Sequence, residues 1–396
     1  MEKFDVVVVG AGIHGAGVAQ ACAAQGWSTA VVERNEEPAL ETSCRSSKLV
    51  HGGLRYLETA QIKLVHECLR ERATLLKNAK DLVRMVPFYI PIYNKGRRHP
   101  FWVAIGLSFY NFLAYISGGK KQGVRLGWQT LPQEQWSELG LNSEDIRCVF
   151  QYLDAQTDDA ILTKRVLSSA QSMGSKLFFN AELSQIKTSP KGFELQLSSG
   201  QSFLAKQLVN AAGPWVNQVA ALLEDAPNVP LDWVQGTHII LPRPSLSGCI
   251  YFEAPQDGRA VFVLPWLGKT MVGTTERVLS EPQAEATENE QQYLLDAYNF
   301  YFPEHPFKLG DIESAFAGVR VLPKGKPGDP PHKRPRETVF AVQNYPKSET
   351  NTGAYIAIYG GKLTSYRATA DDVIARLGEA VGFDVDPSKS TRHILI

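Results

Sequence analysis

The chain has 396 residues, 44% of them hydrophobic, with 41 lysines plus arginines against 41 aspartates plus glutamates. That length buries a large core and suits about two domains, while the even charge balance points away from a nucleic-acid partner. Five scattered cysteines without a C-x-x-C spacing suit reduced thiols in a cytosol and argue against a disulfide framework or zinc site, and the first expected strand lies too near Met1 for a signal peptide.

Phe4–Val9 is a β-branched run of the kind that forms a strand buried on both faces. Gly10, Gly12 and Gly15 follow as G-x-G-x-x-G, then a helix is expected over His14–Ala24, closed by Gly26, and a second buried strand over Ser28–Glu33. Gly10 makes the tight turn, Gly12 admits a pyrophosphate close to the backbone, and Gly15 lets helix and strand pack. Glu33, eighteen residues beyond Gly15, suits the two hydroxyls of an adenosine ribose and opposes a 2′-phosphate. Taken alone, this stretch leaves FAD and NAD both open.

Thr42–Glu58, TSCRSSKLVHGGLRYLE, is rich in small and hydroxyl residues, with Lys48, a Gly52–Gly53 pair, then Arg55 and Tyr56. Thr59–Ala79 has helical periodicity. Pro100–Ser117 is eighteen residues without a charge, preceded by Lys95, Arg97 and Arg98 and followed by Lys120 and Lys121. Phe101, Trp102, Ile105, Phe109, Phe112, Leu113 and Ile116 share one side of the helical wheel. Two readings stand: a helix lying on a membrane surface, or a cap helix packed on the core. The length is marginal for a full span, and the polar stripe argues against one.

In Asp154–Asp159, DAQTDD, either Asp158 or Asp159 is expected to cap the helix that starts at Ala160. Leu177–Ile186 and Phe193–Leu197 read as antiparallel strands, and Gln207–Ala212 as a parallel strand of the nucleotide sheet. Leu231–Thr275 alternates with period two and predicts a mostly antiparallel sheet. Thr338–Gln343 and Ala354–Tyr359 return to the first sheet. The fold class is α/β: a discontinuous Rossmann-like domain of residues 1–93, 145–220 and 336–396, with a substrate or cap domain of 94–144 and 221–335 built on an antiparallel sheet.

VVVVGAGIHGAG and SSKLVHGGLRYLE together closely resemble the FAD-dependent glycerol-3-phosphate dehydrogenases, within the flavoprotein group that holds D-amino-acid and sarcosine oxidases. VNAAGPW at Val209–Trp215, QGTHIILP at Gln235–Pro242, FVLPWLGKTMVGTTE, GVRVL at Gly318–Leu322 and GGKLTSYR at Gly360–Arg367 extend the resemblance over nearly the whole chain. Three departures stand out. The family's long aerobic members continue past the GGKLT helix, Cys44–Arg45 replaces small residues, and a basic proline-rich loop fills residues 324–336.

The resemblance implies FAD as the cofactor. It places Gly10, Gly12, Gly15, Glu33, Ser43, Ser46, Ser47, Lys48, Gly52, Gly53, Leu54, Gly213, Gly361, Lys362, Leu363 and Thr364 against it. It implies oxidation of sn-glycerol 3-phosphate, with His238 as base for the hydroxyl proton and hydride passing to flavin N5. Arg55 and Lys362 would hold the phosphate, Arg320 would bridge phosphate and reacting oxygen, and Tyr56 would line the pocket. Electrons would leave to quinone or another acceptor; the protein is expected to be cytoplasmic, and peripheral on a membrane under the reading in which residues 100–117 lie on its surface. An oxidase of an amine or 2-hydroxy acid is the alternative within the group, and a flavin-binding electron-transfer subunit the alternative outside it. No metal is expected.

Overall fold

The computed structural model describes residues 1–396 apart from 119–125, 143, 245, 326–333, 335, 346–352 and 382. The valine run forms the strand Glu2–Val9, whose side chains feed two separate cores. Val6 and Val8 pack beneath the helices Ile13–Gln25, Asp159–Ser172 and Tyr366–Val381, while Phe4, Val7 and Val9 pack on the opposite side. This burial on both faces is why the run shows no alternation. Thr29–Val32 and Ser202–Asn210 flank it in parallel, Lys176–Phe178 and Gly353–Tyr359 extend the sheet, and Val339–Tyr345 closes one edge antiparallel. Gly10 takes φ 98°, and a Cβ on Gly15 would lie 1.9 Å from the Gly10 carbonyl oxygen. Strand and helix can therefore meet here only through glycine.

The second sheet is mostly antiparallel. Among the described residues its order is Arg277–Leu279, Leu231–Leu241, Lys269–Gly273, Ala260–Trp266, Cys249–Glu253, Arg84–Tyr93, Ile146–Gln156 and Leu49–Val50. Ser314–Pro323 runs antiparallel along the other side of Leu231–Leu241.

Two expectations are corrected, and the capping expectation is resolved to one residue. Arg84–Tyr93 and Ile146–Gln156, assigned on sequence to the nucleotide domain, pair with each other and belong to the second sheet. Their pairing partners lie far along the chain, so no local pattern assigned them. The expected strand Leu177–Ile186 is broken at Asn180, which takes φ 51°: Lys176–Phe178 joins the nucleotide sheet, and Leu183–Ser189 pairs with Gly192–Leu197. Asp158 is the cap of the following helix, accepting from the Ile161 amide, and Asp159 does something else.

Pro100–Ile116 is a helix packed through Leu107, Tyr110, Leu113 and Ala114. The rest of its apolar stripe points outward, with Trp102 68% and Phe101 59% exposed, and Ile105, Phe112 and Ile116 exposed beside them. Lys120 and Lys121 lie outside the described residues. No helix among the described residues is long and apolar enough to cross a membrane.

Candidate functional site

A cavity of about 520 Å³ is lined by both sheets, where the glycine turn meets the strands that carry His238 and Arg320. Its nucleotide side begins at Glu33. One carboxylate oxygen accepts from the Ala11 amide at 2.7 Å and the other from the Asn35 amide at 2.9 Å. These bonds fix the carboxylate in place, and each oxygen keeps a lone pair for a hydroxyl. Beside it the Arg34 guanidinium stacks on the Trp215 ring at 3.8 Å. Ser43 Oγ accepts from the Ile13 amide at 2.9 Å, taking up one of the orphan donors of the first helix.

Lys48 does not line the cavity. Its ammonium donates to Asp159 Oδ1 and to the Cys44 carbonyl, each at 2.6 Å, while Asp159 Oδ2 accepts from the Ser46 amide at 2.9 Å. The buried pair Lys48–Asp159 therefore holds the 43–47 loop against the wall. Asp159 was legible only as a capping candidate, because its partners lie 111 and 113 residues away.

The chemical side is built by strand register. His238 faces Phe316 across the antiparallel pair, Gly236 faces Gly318, and Val234 faces Arg320, so these residues share one face. The imidazole stacks on Phe316 with centroids 5.0 Å apart. A Cβ on Gly273 would meet its ring at 2.1 Å, and one on Gly236 would meet an Arg320 amino nitrogen at 2.6 Å. Glycine at those two positions is what gives both side chains their space. His238 Nε2 lies 2.9 Å from Ser47 Oγ, and Nδ1 is buried without a partner.

Burial, followed by the positive charges of Arg320 and Lys48, pushes the His238 pKa down to about 3. Burial, followed by the neighbouring Arg336, brings Arg320 down to about 10. At neutral pH the pair is thus a neutral base beside a charged guanidinium. The Lys362 ammonium sits 3.6 Å above the Tyr56 ring and has no hydrogen-bond partner among the described residues.

Of the residues singled out on sequence, Gly10, Gly12, Glu33, Ser43, Ser46, Ser47, Tyr56, Gly213, His238, Arg320, Gly361, Lys362, Leu363 and Thr364 line this one cavity. Gly15, Lys48, Gly52, Gly53, Leu54 and Arg55 stand behind the wall, where Arg55 Nε is buried without a partner. His14, Arg45, His51, Trp215, Thr274 and Arg336 line it and were not singled out as site residues. Arg45 and Arg336 lie in segments that depart from the family resemblance. The cation content of the 324–336 loop was the signal that could have found Arg336.

The wall fits a flavin dinucleotide. A Cβ on Gly10 would lie 2.8 Å from the Ala211 carbonyl oxygen, so the wall there is bare backbone at a helix N-terminus, which suits phosphate. His14 Nδ1 and Lys362 Nζ face the same space as buried polar atoms without partners. Such orphans are costly unless a ligand satisfies them.

Comparisons with known proteins agree with this fit. The family described as FAD dependent oxidoreductase matches residues 5–367. An aerobic glycerol-3-phosphate dehydrogenase of Staphylococcus haemolyticus is 33% identical over 96% of this chain and 67% of its own length. The chain thus spans about two thirds of that relative. The structure of a glycerol-3-phosphate dehydrogenase from Bacillus halodurans complexed with FAD superposes with a TM-score of 0.76 at 24% identity, covering 100% of this chain and 68% of that one. An L-alpha-glycerophosphate oxidase from Mycoplasma pneumoniae with FAD bound gives 0.73 at 19% identity, with 100% of both chains covered. At these identities the structural matches speak for the fold.

Proposed function

The chain belongs to the FAD-dependent oxidoreductase family, its cofactor is FAD, and we propose that it oxidises sn-glycerol 3-phosphate at C2 to dihydroxyacetone phosphate. The observation that carries this reading is the neutral His238 beside Arg320, both depressed by burial and by neighbouring positive charge, in a cavity that also holds Lys362 and Arg336. Such a site calls for an anionic substrate carrying an acidic proton near the base. The names of the full-length relatives point to the same substrate.

His238 takes the C2 hydroxyl proton at Nε2, the nitrogen that Ser47 Oγ faces at 2.9 Å. Arg320 stabilises the developing alkoxide. Lys362 and Arg336, which line the cavity, hold the phosphate. Bound FAD supplies the two-electron oxidant for the departing hydride. The electrons pass to quinone at a membrane, which the exposed face around Phe101, Trp102, Phe112 and Ile116 contacts at the lipid surface.

The test is anaerobic addition of sn-glycerol 3-phosphate to the yellow protein. Loss of the visible flavin band supports the reading. Persistence of the band, with loss on an amine or 2-hydroxy acid instead, overturns the substrate. Sedimentation with phospholipid vesicles, lost when Trp102 and Phe112 become serine, tests the membrane contact.

A further inference from the structure

The exposed helix is fastened to the substrate side of the cavity through one hydroxyl. Tyr110, on the buried face of Pro100–Ile116, is 1% exposed. Its Oη accepts from the Gly52 amide at 2.9 Å and donates to Asp154 Oδ2 at 2.6 Å. Asp154 Oδ1 in turn accepts from Arg72 Nη1 at 2.6 Å, and Asp154 and Arg72 are as buried as the tyrosine. Burial, reinforced by the Asp154 carboxylate, raises the Tyr110 hydroxyl well above its ordinary range, so it stays protonated and serves both bonds.

From Gly52 the contacts run on without a gap. A Cβ on Gly52 would stand 2.5 Å from the Tyr110 hydroxyl, so the backbone approaches the tyrosine as closely as glycine permits. Gly53 takes φ 76°, and the Tyr56 ring folds over it, 2.1 Å from where its Cβ would be. On that ring sits the Lys362 ammonium, at 3.6 Å. Surface helix, Gly52, Tyr56 and Lys362 thus form one stack.

We infer that Tyr110 is a positioning residue: its hydroxyl sets the height of the Gly52 backbone, and through it the placement of Tyr56 and Lys362 for the substrate's phosphate. The inference rests on the proposed phosphate site but not on the oxidation itself. Tyr110→Phe keeps the ring and its packing and removes only the hydroxyl, which leaves the Gly52 amide unsatisfied.

The experiment compares wild type and Tyr110→Phe holoenzymes. It measures FAD content, KM and kcat for sn-glycerol 3-phosphate, and the dissociation constant of inorganic phosphate from its perturbation of the oxidised flavin spectrum. The expected result is full FAD content and kcat within about twofold, with KM and the phosphate constant both raised about tenfold. A lower melting temperature with both constants unchanged overturns the inference and leaves Tyr110 a packing residue. If wild-type flavin is not reduced by glycerol 3-phosphate, the substrate reading has failed, and the phosphate constants alone still decide the role of Tyr110. If the variant does not fold, hydrogen exchange of the Gly52 amide in wild type decides. Exchange as slow as that of the helix core supports the tie, and exchange as fast as that of an exposed turn refutes it.

Discussion

Two groups of buried charge lie on either side of the Gly52–Tyr56 segment, and they differ in what their neighbours do to them. Behind the segment, burial works against the charge of Arg72, yet Asp154 and Tyr110 outweigh it and the guanidinium is raised. Arg367 is likewise raised against burial, by a two-pronged bond to Glu71 with both contacts at 2.6 Å and by Asp371. On the cavity side, Arg320 and His238 are both lowered, by burial first and then by other cations. A buried charge whose partners are part of the fold stabilises the arrangement only while both partners remain. A buried charge pressed by like charges costs stability and calls for an anion from outside. This contrast separates Arg72 and Arg367, which are paired within the fold, from Arg320, which is proposed to act on a substrate.

The contrast is sharpest under truncation. Arg72→Met should lower the unfolding free energy by about 3–5 kcal/mol, since the buried Asp154 carboxylate loses the guanidinium it is paired with. Urea unfolding of the holoenzyme measures it, and a loss below about 1 kcal/mol would erase the distinction between the two groups. His238→Gln should keep FAD and fold but slow anaerobic flavin reduction about a thousandfold, within the range of a lost general base. Full turnover by that variant would sink the assignment of the base. Arg320→Met should lower kcat/KM about a hundredfold. It should leave stability unchanged or raised, because the fold no longer carries a crowded buried cation. A stability loss matching that of Arg72→Met would place Arg320 with the structural arginines instead.

The smallest effect concerns pH. His238 is held neutral in the fold down to about pH 3, while in the unfolded chain it takes up a proton near pH 6.5. Its contribution to stability is therefore complete above pH 6.5 and is lost as pH falls from there toward 3, by about 1.4 kcal/mol per unit. His238→Gln should be the less acid-sensitive protein when unfolding is compared at pH 7 and pH 5. Equal slopes would show that the imidazole is not neutral in the fold.

Strand, glycine turn, helix, strand and Glu33 could be read directly, because each rests on contacts between near neighbours in the chain. Period-two alternation around His238 placed it on a strand for the same reason. The apolar stripe of Pro100–Ile116 was visible too, but which side of it faces solvent was not. Leu113 was grouped with Phe101 and Trp102 on the helical wheel, yet it is buried while they are exposed. Exposure depends on what packs against a helix, and here that includes the Gly52 backbone and Asp154.

By itself, then, the sequence determined the nucleotide-binding unit, the α/β class and the residue types able to do the chemistry. Local periodicity and turn geometry are properties of a segment. Only the tertiary structure decided that Asp159 anchors Lys48, that Arg55 stands behind the wall while Arg336 lines it, and that Tyr110 reaches Gly52. Whether a charge is paired, and what its burial does to its protonation, depends on groups brought together from distant parts of the chain.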